Sequence, residues 1–148
     1  MPMEIINANI DDLDVEAVVA EVTIEPDSLK KRIVDKAKQS FGLDEPLEAG
    51  MADVELAKSG KAKFVISAGI PKWQGGEAGE QSKLATACAN AISLARNFGF
   101  RTIAFPLLGA KSGYPADLAL RTVKGIISVA LVNDDMRILL VQNSAKEG

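Results

Sequence analysis

The segment that follows a predicted strand at residues 101–106 carries the residue types best suited to chemistry. It contains, in order, Leu107, Leu108, Gly109, Ala110, Lys111, Ser112, Gly113, Tyr114 and Pro115. The two glycines let backbone N–H groups turn inward, while Lys111 and Ser112 add a cation and a hydroxyl. A helix is predicted to begin at Pro115 or Ala116, so the segment has the ingredients of an anion cradle. An ordinary strand–helix turn, in which both glycines only permit positive φ, is an equally open interpretation.

A second polar segment follows a predicted strand at residues 15–23. It consists of Ile24, Glu25, Pro26, Asp27 and Ser28. Ligands of open α/β sheets collect where the carboxyl ends of strands lead into helix N-termini. We therefore expect a ligand cleft between residues 23–28 and residues 109–114.

The absence of histidine excludes several kinds of site outright. The chain has no histidine and a single cysteine, Cys88, so catalytic triads with a His base, HExxH metal sites and zinc fingers of Cys and His are ruled out. One cysteine cannot form an intrachain disulfide. A net charge of −3 argues against binding of nucleic acid by bulk electrostatics. We expect no metal site and no cofactor.

The N-terminal residues show neither a basic region nor a long apolar stretch, and no other segment approaches the length of a membrane-spanning helix. The expectation is a cytoplasmic protein without membrane contact. A length of 148 residues with 47% hydrophobic content fits one domain, residues 1–148. A protein partner is compatible with this composition.

Hydrophobic periodicity then predicts the elements that position the two segments. Strands are expected at residues 3–9, 15–23, 63–67, 101–106 and 137–142, and helices at residues 28–40, 81–98 and 115–132. Residues 69–79 are rich in glycine and are predicted to form a long functional loop, with Trp73 buried over the sheet edge. Cys88 falls on an apolar helix face and is predicted to be a core residue. Alternating strands and helices predict an α/β fold with a largely parallel sheet and a helix–sheet–helix layering.

Several strings of residues, taken in order, carry a resemblance to a known family. They are VEAVVAEVT at residues 15–23, GMA at 50–52, AKFVIS at 62–67, PKW at 71–73, RTIAFPLLG at 101–109 and GYP at 113–115. In this order and spacing they resemble macro domains, the family associated with ADP-ribose binding and Appr-1″-p processing. The resemblance implies a three-layer α-β-α macro-domain-like fold with a mixed, largely parallel sheet.

The departures from the family pattern fall where the ligand would bind. Asn9, followed by Ile10, stands where the family has its adenine-recognising aspartate. Ala20 and Thr23 replace two strand-end asparagines, and the second of these is thought to order the ribose and the attacking water in hydrolytic members. Ser67 stands in the place of a histidine. The glycine-rich phosphate loop of the family is replaced by residues 24–28, which contain no glycine.

The resemblance and its departures together favour binding without turnover over an enzyme. The expected ligand is ADP-ribose or a related phosphorylated nucleotide, held by Asn9, Ile10, Thr23, Ser28, Gly109, Ala110, Lys111, Ser112, Gly113 and Tyr114. Two alternatives stay open. One is a macro-like scaffold that binds no nucleotide and serves as an interaction or accessory domain. The other is an ADP-ribosyl hydrolase or an ADP-ribose-1″-phosphate phosphatase.

Overall fold

The computed structural model describes residues 3–24, 48–58, 60–77, 79–132 and 136–142. Within these ranges the strands are β1 (Met3–Ile6), β2 (Ala17–Ile24), β3 (Ala52–Leu56), β4 (Phe64–Pro71), β5 (Thr102–Phe105) and β6 (Arg137–Val141). The α-helices are α1 (Glu80–Asn97) and α2 (Ala116–Ala130), and a 3-10 helix spans Ile10–Asp12. The helix predicted at residues 28–40 lies outside the described residues, and so does Ser28.

The strands form one sheet in the order β1-β6-β5-β2-β4-β3. Every neighbouring pair is parallel except β3 and β4, which are antiparallel. This arrangement confirms the predicted α/β class and the mixed, largely parallel sheet. Strand β3 was not predicted: its charged residues Asp53 and Glu55 are exposed, as is typical of an edge strand that must not pair with another chain.

Helices α1 and α2 cover one face of the sheet and form the main core with it. The largest fully buried side chains of this core include Ile66, Ile70, Leu84, Ile92, Ile103, Phe105, Ile127 and Leu140. Cys88 is fully buried within it, as predicted. Val15, Ala62, Ala104, Leu139 and Val141 form a second, smaller cluster.

Strand β4 extends four residues beyond its predicted end at Ser67, so the predicted loop at residues 69–79 begins only after Pro71. The glycine at position 69 was interpreted as a loop signal, but it lies in the strand and is held by two backbone bonds. Its N–H donates to the carbonyl oxygen of Met51 at 2.8 Å, and its own carbonyl accepts from Gly50 N–H at 2.9 Å. The predicted strand at residues 3–9 ends earlier, at Ile6, because Asn9 caps the 3-10 helix.

The sheet opens between β2 and β5 at its carboxyl edge. Strand β2 pairs with β4 along its whole length, from Ala17 to Ile24, but pairs with β5 only through Ala17 and Val18. From β2 the chain continues to β3 and β4 on one side, and it later enters β5 and β6 on the other side. Such a topological switch point is where open α/β sheets bind ligands.

Candidate functional site

Three polar side chains bridge the opening between β2 and the segment after β5. Thr23 Oγ1 lies 2.8 Å from Ser112 Oγ, and Ser112 Oγ lies 2.6 Å from Glu21 Oε2. Glu21 and Thr23 are two residues apart on β2 and therefore project from the same face of the strand. Ser112 is only 3% exposed, whereas Glu21 and Thr23 are half-buried. We call Glu21, Thr23 and Ser112 the hydroxyl–carboxylate cluster.

The loop that supplies Ser112 is closed by its own backbone hydrogen bonds. The carbonyl oxygen of Gly109 accepts from Ser112 N–H at 3.1 Å and from Tyr114 N–H at 3.0 Å, and Ala110 N–H donates to Leu107 at 3.2 Å. Gly109 and Gly113 have φ values of 100° and 91°, a region that side chains with a Cβ rarely adopt. The amides of residues 110, 112 and 114 are therefore bonded within the loop, as in the ordinary turn considered from the sequence.

The backbone amide of Lys111 bonds to the cluster instead of bonding within the loop. Lys111 N–H donates to Glu21 Oε1 at 3.4 Å, the long end of the hydrogen-bond range. The side chain of Lys111 is exposed. Both oxygens of the Glu21 carboxylate thus accept from the loop that follows β5.

A cleft of about 470 Å³ adjoins the cluster. We call it the carboxyl-edge cleft, because it begins at Pro106 and Lys111 after β5. From there it passes along residues 18–21 of β2 to Ile10 and Asp11, and to residues 55–58 at the end of β3, beside the start of β4. Ile10 and Lys111, which were predicted from separate segments, both line this cleft. The neighbouring Asn9 is exposed and uses its side-chain oxygen to accept from Asp11 N–H at 3.0 Å, capping the 3-10 helix.

Tyr114 fixes the other end of the loop. Its side chain is 5% exposed, its hydroxyl donates to the carbonyl oxygen of Glu80 at 3.1 Å, and its ring centroid lies 5.0 Å from that of Trp73. Burial raises the pKa of Tyr114 well above its usual range, and the negative charges of Glu80 and Glu21 raise it further. The phenol is therefore a neutral structural donor rather than a base.

The segment before α1 is tied to the same loop. Trp73 N–H donates to the carbonyl oxygen of Ser112 at 2.9 Å. The Glu80 carboxylate, 1% exposed, accepts from Gln74 N–H at 2.6 Å and from Gly76 N–H at 3.2 Å. Trp73 is half-buried and packs on Tyr114, so the predicted buried tryptophan contributes to the wall of the loop.

Two carboxylates of this region were missed by the sequence interpretation. Glu21 was the stronger clue, because it follows the apolar residues Val18 and Val19 in a strand whose inner positions are buried. Glu80 lies in the first turn of α1, directly after a glycine-rich segment whose amides need an acceptor. A charge within an apolar strand and an acid at a helix start were the available signals.

The structure also shows where two departures from the macro domain sequence pattern lie. Ala20 lies on β2 opposite Ser67 of β4, so a methyl group and a hydroxyl stand side by side there.

Among the residues that the structure describes, no group of three or more Cys, Asp and Glu side chains could hold a metal ion. In the same part of the chain, no helix combines the length and the apolar character needed to cross a bilayer.

Comparison with known proteins shows which family the chain resembles. The profile of the Macro domain family matches residues 26–123. A macro domain-containing protein of Methanosarcina mazei is 41% identical over 59 residues, which cover 39% of this chain and 32% of that protein. An O-acetyl-ADP-ribose deacetylase of Citrobacter koseri is 35% identical over 85 residues, covering 54% of this chain and 48% of that enzyme. The chain thus spans half or less of the length of these curated relatives.

A solved structure gives the same fold over most of the chain. A mutant of the Oceanobacillus iheyensis macrodomain with ADPR superimposes with a TM-score of 0.73 at 18% identity. The superposition covers 94% of this chain and 83% of that structure. At this identity the likeness describes the fold alone.

Proposed function

This chain belongs to the macro domain family, and from that premise we propose that it binds ADP-ribose or a related phosphorylated nucleotide without turning it over. One observation carries the proposal. At the switch point of the sheet, the hydroxyls of Thr23 and Ser112 meet at 2.8 Å, and Glu21, which is bonded to Ser112, lines a cleft of about 470 Å³. A cleft of that size falls within the range of about 300–1,000 Å³ that is usual for small-molecule sites.

The lining of the carboxyl-edge cleft contains groups that suit a phosphorylated nucleotide, beside three acids, Asp11, Glu21 and Glu55. Lys111 brings a cationic side chain that can approach a phosphate. Ile10, Val18 and Pro106 provide apolar surface on which a base or a ribose can pack. Asn9 precedes Ile10 in the chain, and its side-chain oxygen accepts from Asp11 N–H. We assign Lys111, Ser112 and Thr23 to the phosphate and ribose end, and Asn9 and Ile10 to the base.

The groups at the end of β2 support the proposal of binding without turnover. Water activation needs a polar side chain that orients the water and a base that accepts its proton. Ala20 carries only a methyl group, and the Thr23 hydroxyl is already bonded to Ser112. The Glu21 carboxylate accepts from Ser112 and Lys111, so its hydrogen bonds within the described residues run to the loop after β5.

A scaffold without nucleotide binding is the second candidate, and a specific observation favours it. Three amides of the loop at residues 109–114 are bonded within the loop, so they offer no donors to a phosphate. A macro-like interaction domain needs no such donors. The two functions differ in one measurable property, the affinity for ADP-ribose.

Isothermal titration calorimetry with ADP-ribose tests the proposal. We expect saturable binding by the native chain and about fivefold weaker binding by Lys111→Ala, which corresponds to about 1 kcal/mol for one exposed charge-assisted contact. The matched control is Lys63→Ala, because Lys63 is also exposed but lies at the opposite edge of the sheet, just before β4.

The same samples test turnover. Incubation with O-acetyl-ADP-ribose and with an ADP-ribosylated protein is expected to release no product. Product release that disappears in Thr23→Ala would contradict binding without turnover and would favour a hydrolase, the activity named for the enzyme of Citrobacter koseri.

A further inference from the structure

The Glu21 carboxylate takes up two hydrogen-bond donors, the Ser112 hydroxyl and the Lys111 N–H. Its Oε2 accepts from Ser112 at 2.6 Å and its Oε1 accepts from Lys111 N–H at 3.4 Å. We propose that Glu21 is a built-in competitor of the ligand, and that a phosphate group enters the cluster only by displacing this carboxylate. The inference deepens the proposed function and rests on it, since it concerns the same cleft.

The number of hydroxyl protons in the cluster explains why it cannot hold the Glu21 carboxylate and a phosphate group at the same time. An ionised carboxylate only accepts hydrogen bonds, so the single hydroxyl proton of Ser112 is directed to Glu21. Ser112 Oγ must then accept at its 2.8 Å contact, and Thr23 is the donor there. Both hydroxyl protons are therefore used in a chain that ends at the carboxylate. The outer side of this chain presents only oxygen lone pairs, which repel a phosphate.

When the carboxylate leaves the cluster, the cluster presents hydrogen-bond donors in place of lone pairs. The hydroxyl proton of Ser112 and the N–H of Lys111 then become available to an incoming oxygen anion, while Thr23 continues to donate to Ser112. Ser112 is buried, but it keeps Thr23 as a partner, so the displacement leaves no buried hydroxyl without a hydrogen bond. The cluster can thus exchange one anion for another.

The position of Glu21 suits such an exchange. Its backbone stays in the ladder opposite Ala68 of β4, so only the side chain has to move. That side chain is half-buried and lines the carboxyl-edge cleft, which gives the carboxylate open space to enter. One of its two contacts, the bond from Lys111, is long and therefore weak.

Charge removal at Glu21 is the direct test. Glu21→Gln keeps the shape of the side chain and removes the competing charge, so we expect it to bind ADP-ribose about tenfold more tightly than the native chain. Asp53→Asn is the matched control, since it changes the net charge equally and lies on the edge strand β3, outside the cluster. Calorimetry is performed with ADP-ribose and, separately, with inorganic pyrophosphate. Glu21→Ala is measured in parallel, with folding of each variant checked by circular dichroism.

The outcomes separate this inference from the proposed function. Tighter binding of ADP-ribose by Glu21→Gln, with Asp53→Asn unchanged, supports both. Binding of ADP-ribose that is equal or weaker in both Glu21 variants overturns the competitor role and leaves the proposed function standing. If no protein binds ADP-ribose but the Glu21 variants bind pyrophosphate, the competitor role stands and the proposed ligand is wrong. If neither probe binds any of the proteins, both proposals are wrong.

Discussion

Gly109 lies at a point of the loop where both the backbone and the available space exclude a larger side chain. Its φ is 100°, and a Cβ placed there would lie 3.1 Å from Tyr114 Cγ, 3.2 Å from Tyr114 Cβ and 3.3 Å from Ala119 Cβ. Tyr114 and Ala119 are buried, at 5% and 0% exposure, so neither can move aside freely. The substitution Gly109→Ala therefore tests whether this loop is the rigid frame of the candidate site.

The expected loss of stability follows from these contacts. A left-handed backbone costs an L-residue roughly 1–2 kcal/mol, and overpacking a well-filled site costs about 1–3 kcal/mol more. The lower chain entropy of alanine in the unfolded state returns about 0.4–1 kcal/mol. The net expectation is a loss of about 2–3 kcal/mol, or a fall in Tm of roughly 8 °C for a chain of this size.

Equilibrium unfolding in urea, followed by circular dichroism, measures this loss. The matched control is Gly125→Ala: Gly125 lies within helix α2, and a Cβ there would meet nothing within 4 Å. This control should gain about 0.5–1 kcal/mol, because alanine is the better helix former. An unfolding free energy of Gly109→Ala within about 0.5 kcal/mol of the native value would refute the rigid-loop interpretation.

Two other side chains give predictions of their own. Burial raises the pKa of the Cys88 thiol to about 12. We therefore expect no reaction with a disulfide reagent near pH 8 until urea unfolds the chain. Stoichiometric labelling of the folded protein would contradict this prediction. Tyr114→Phe should lower the unfolding free energy by about 1 kcal/mol, through loss of the bond to the Glu80 carbonyl. The pKa of Tyr114 is raised in the folded state, so the native chain should also lose stability as the pH rises above the ordinary value of 10.0. The Phe variant should lack this contribution to the pH dependence. Urea midpoints between about pH 8 and 11 measure the dependence, and equal slopes in the two proteins would contradict the prediction.

Periodicity was sufficient to predict most of the fold. Helix α1 and helix α2 were predicted within two residues of their observed ends, because each carries a clear apolar face on an otherwise polar surface. Strands β5 and β6 were recognised from their apolar runs between turn signals. Strand β3 was missed because an edge strand with alternating acids has the composition of a surface loop.

The candidate site was predictable in place but not in detail. Parallel strands bring their carboxyl ends to one edge, so Thr23 and Ser112 could be expected near each other, and they are in hydrogen-bond contact. The partner of Ser112 could not be foreseen in the same way. Glu21 is 91 residues away in sequence, and its contact depends on where β2 diverges from β5, which no local pattern encodes. The loop amides that bond within the loop differ in this respect, because their bonds are local and match the ordinary turn considered from the sequence.

Calorimetric titration of the native chain with ADP-ribose tests the proposed function most directly. Saturable, one-to-one binding that weakens in Lys111→Ala and is unchanged in Lys63→Ala is the predicted result. No detectable heat of binding and no thermal stabilisation at millimolar ADP-ribose would contradict it, since a ligand that binds only the folded state must raise Tm at concentrations above its Kd.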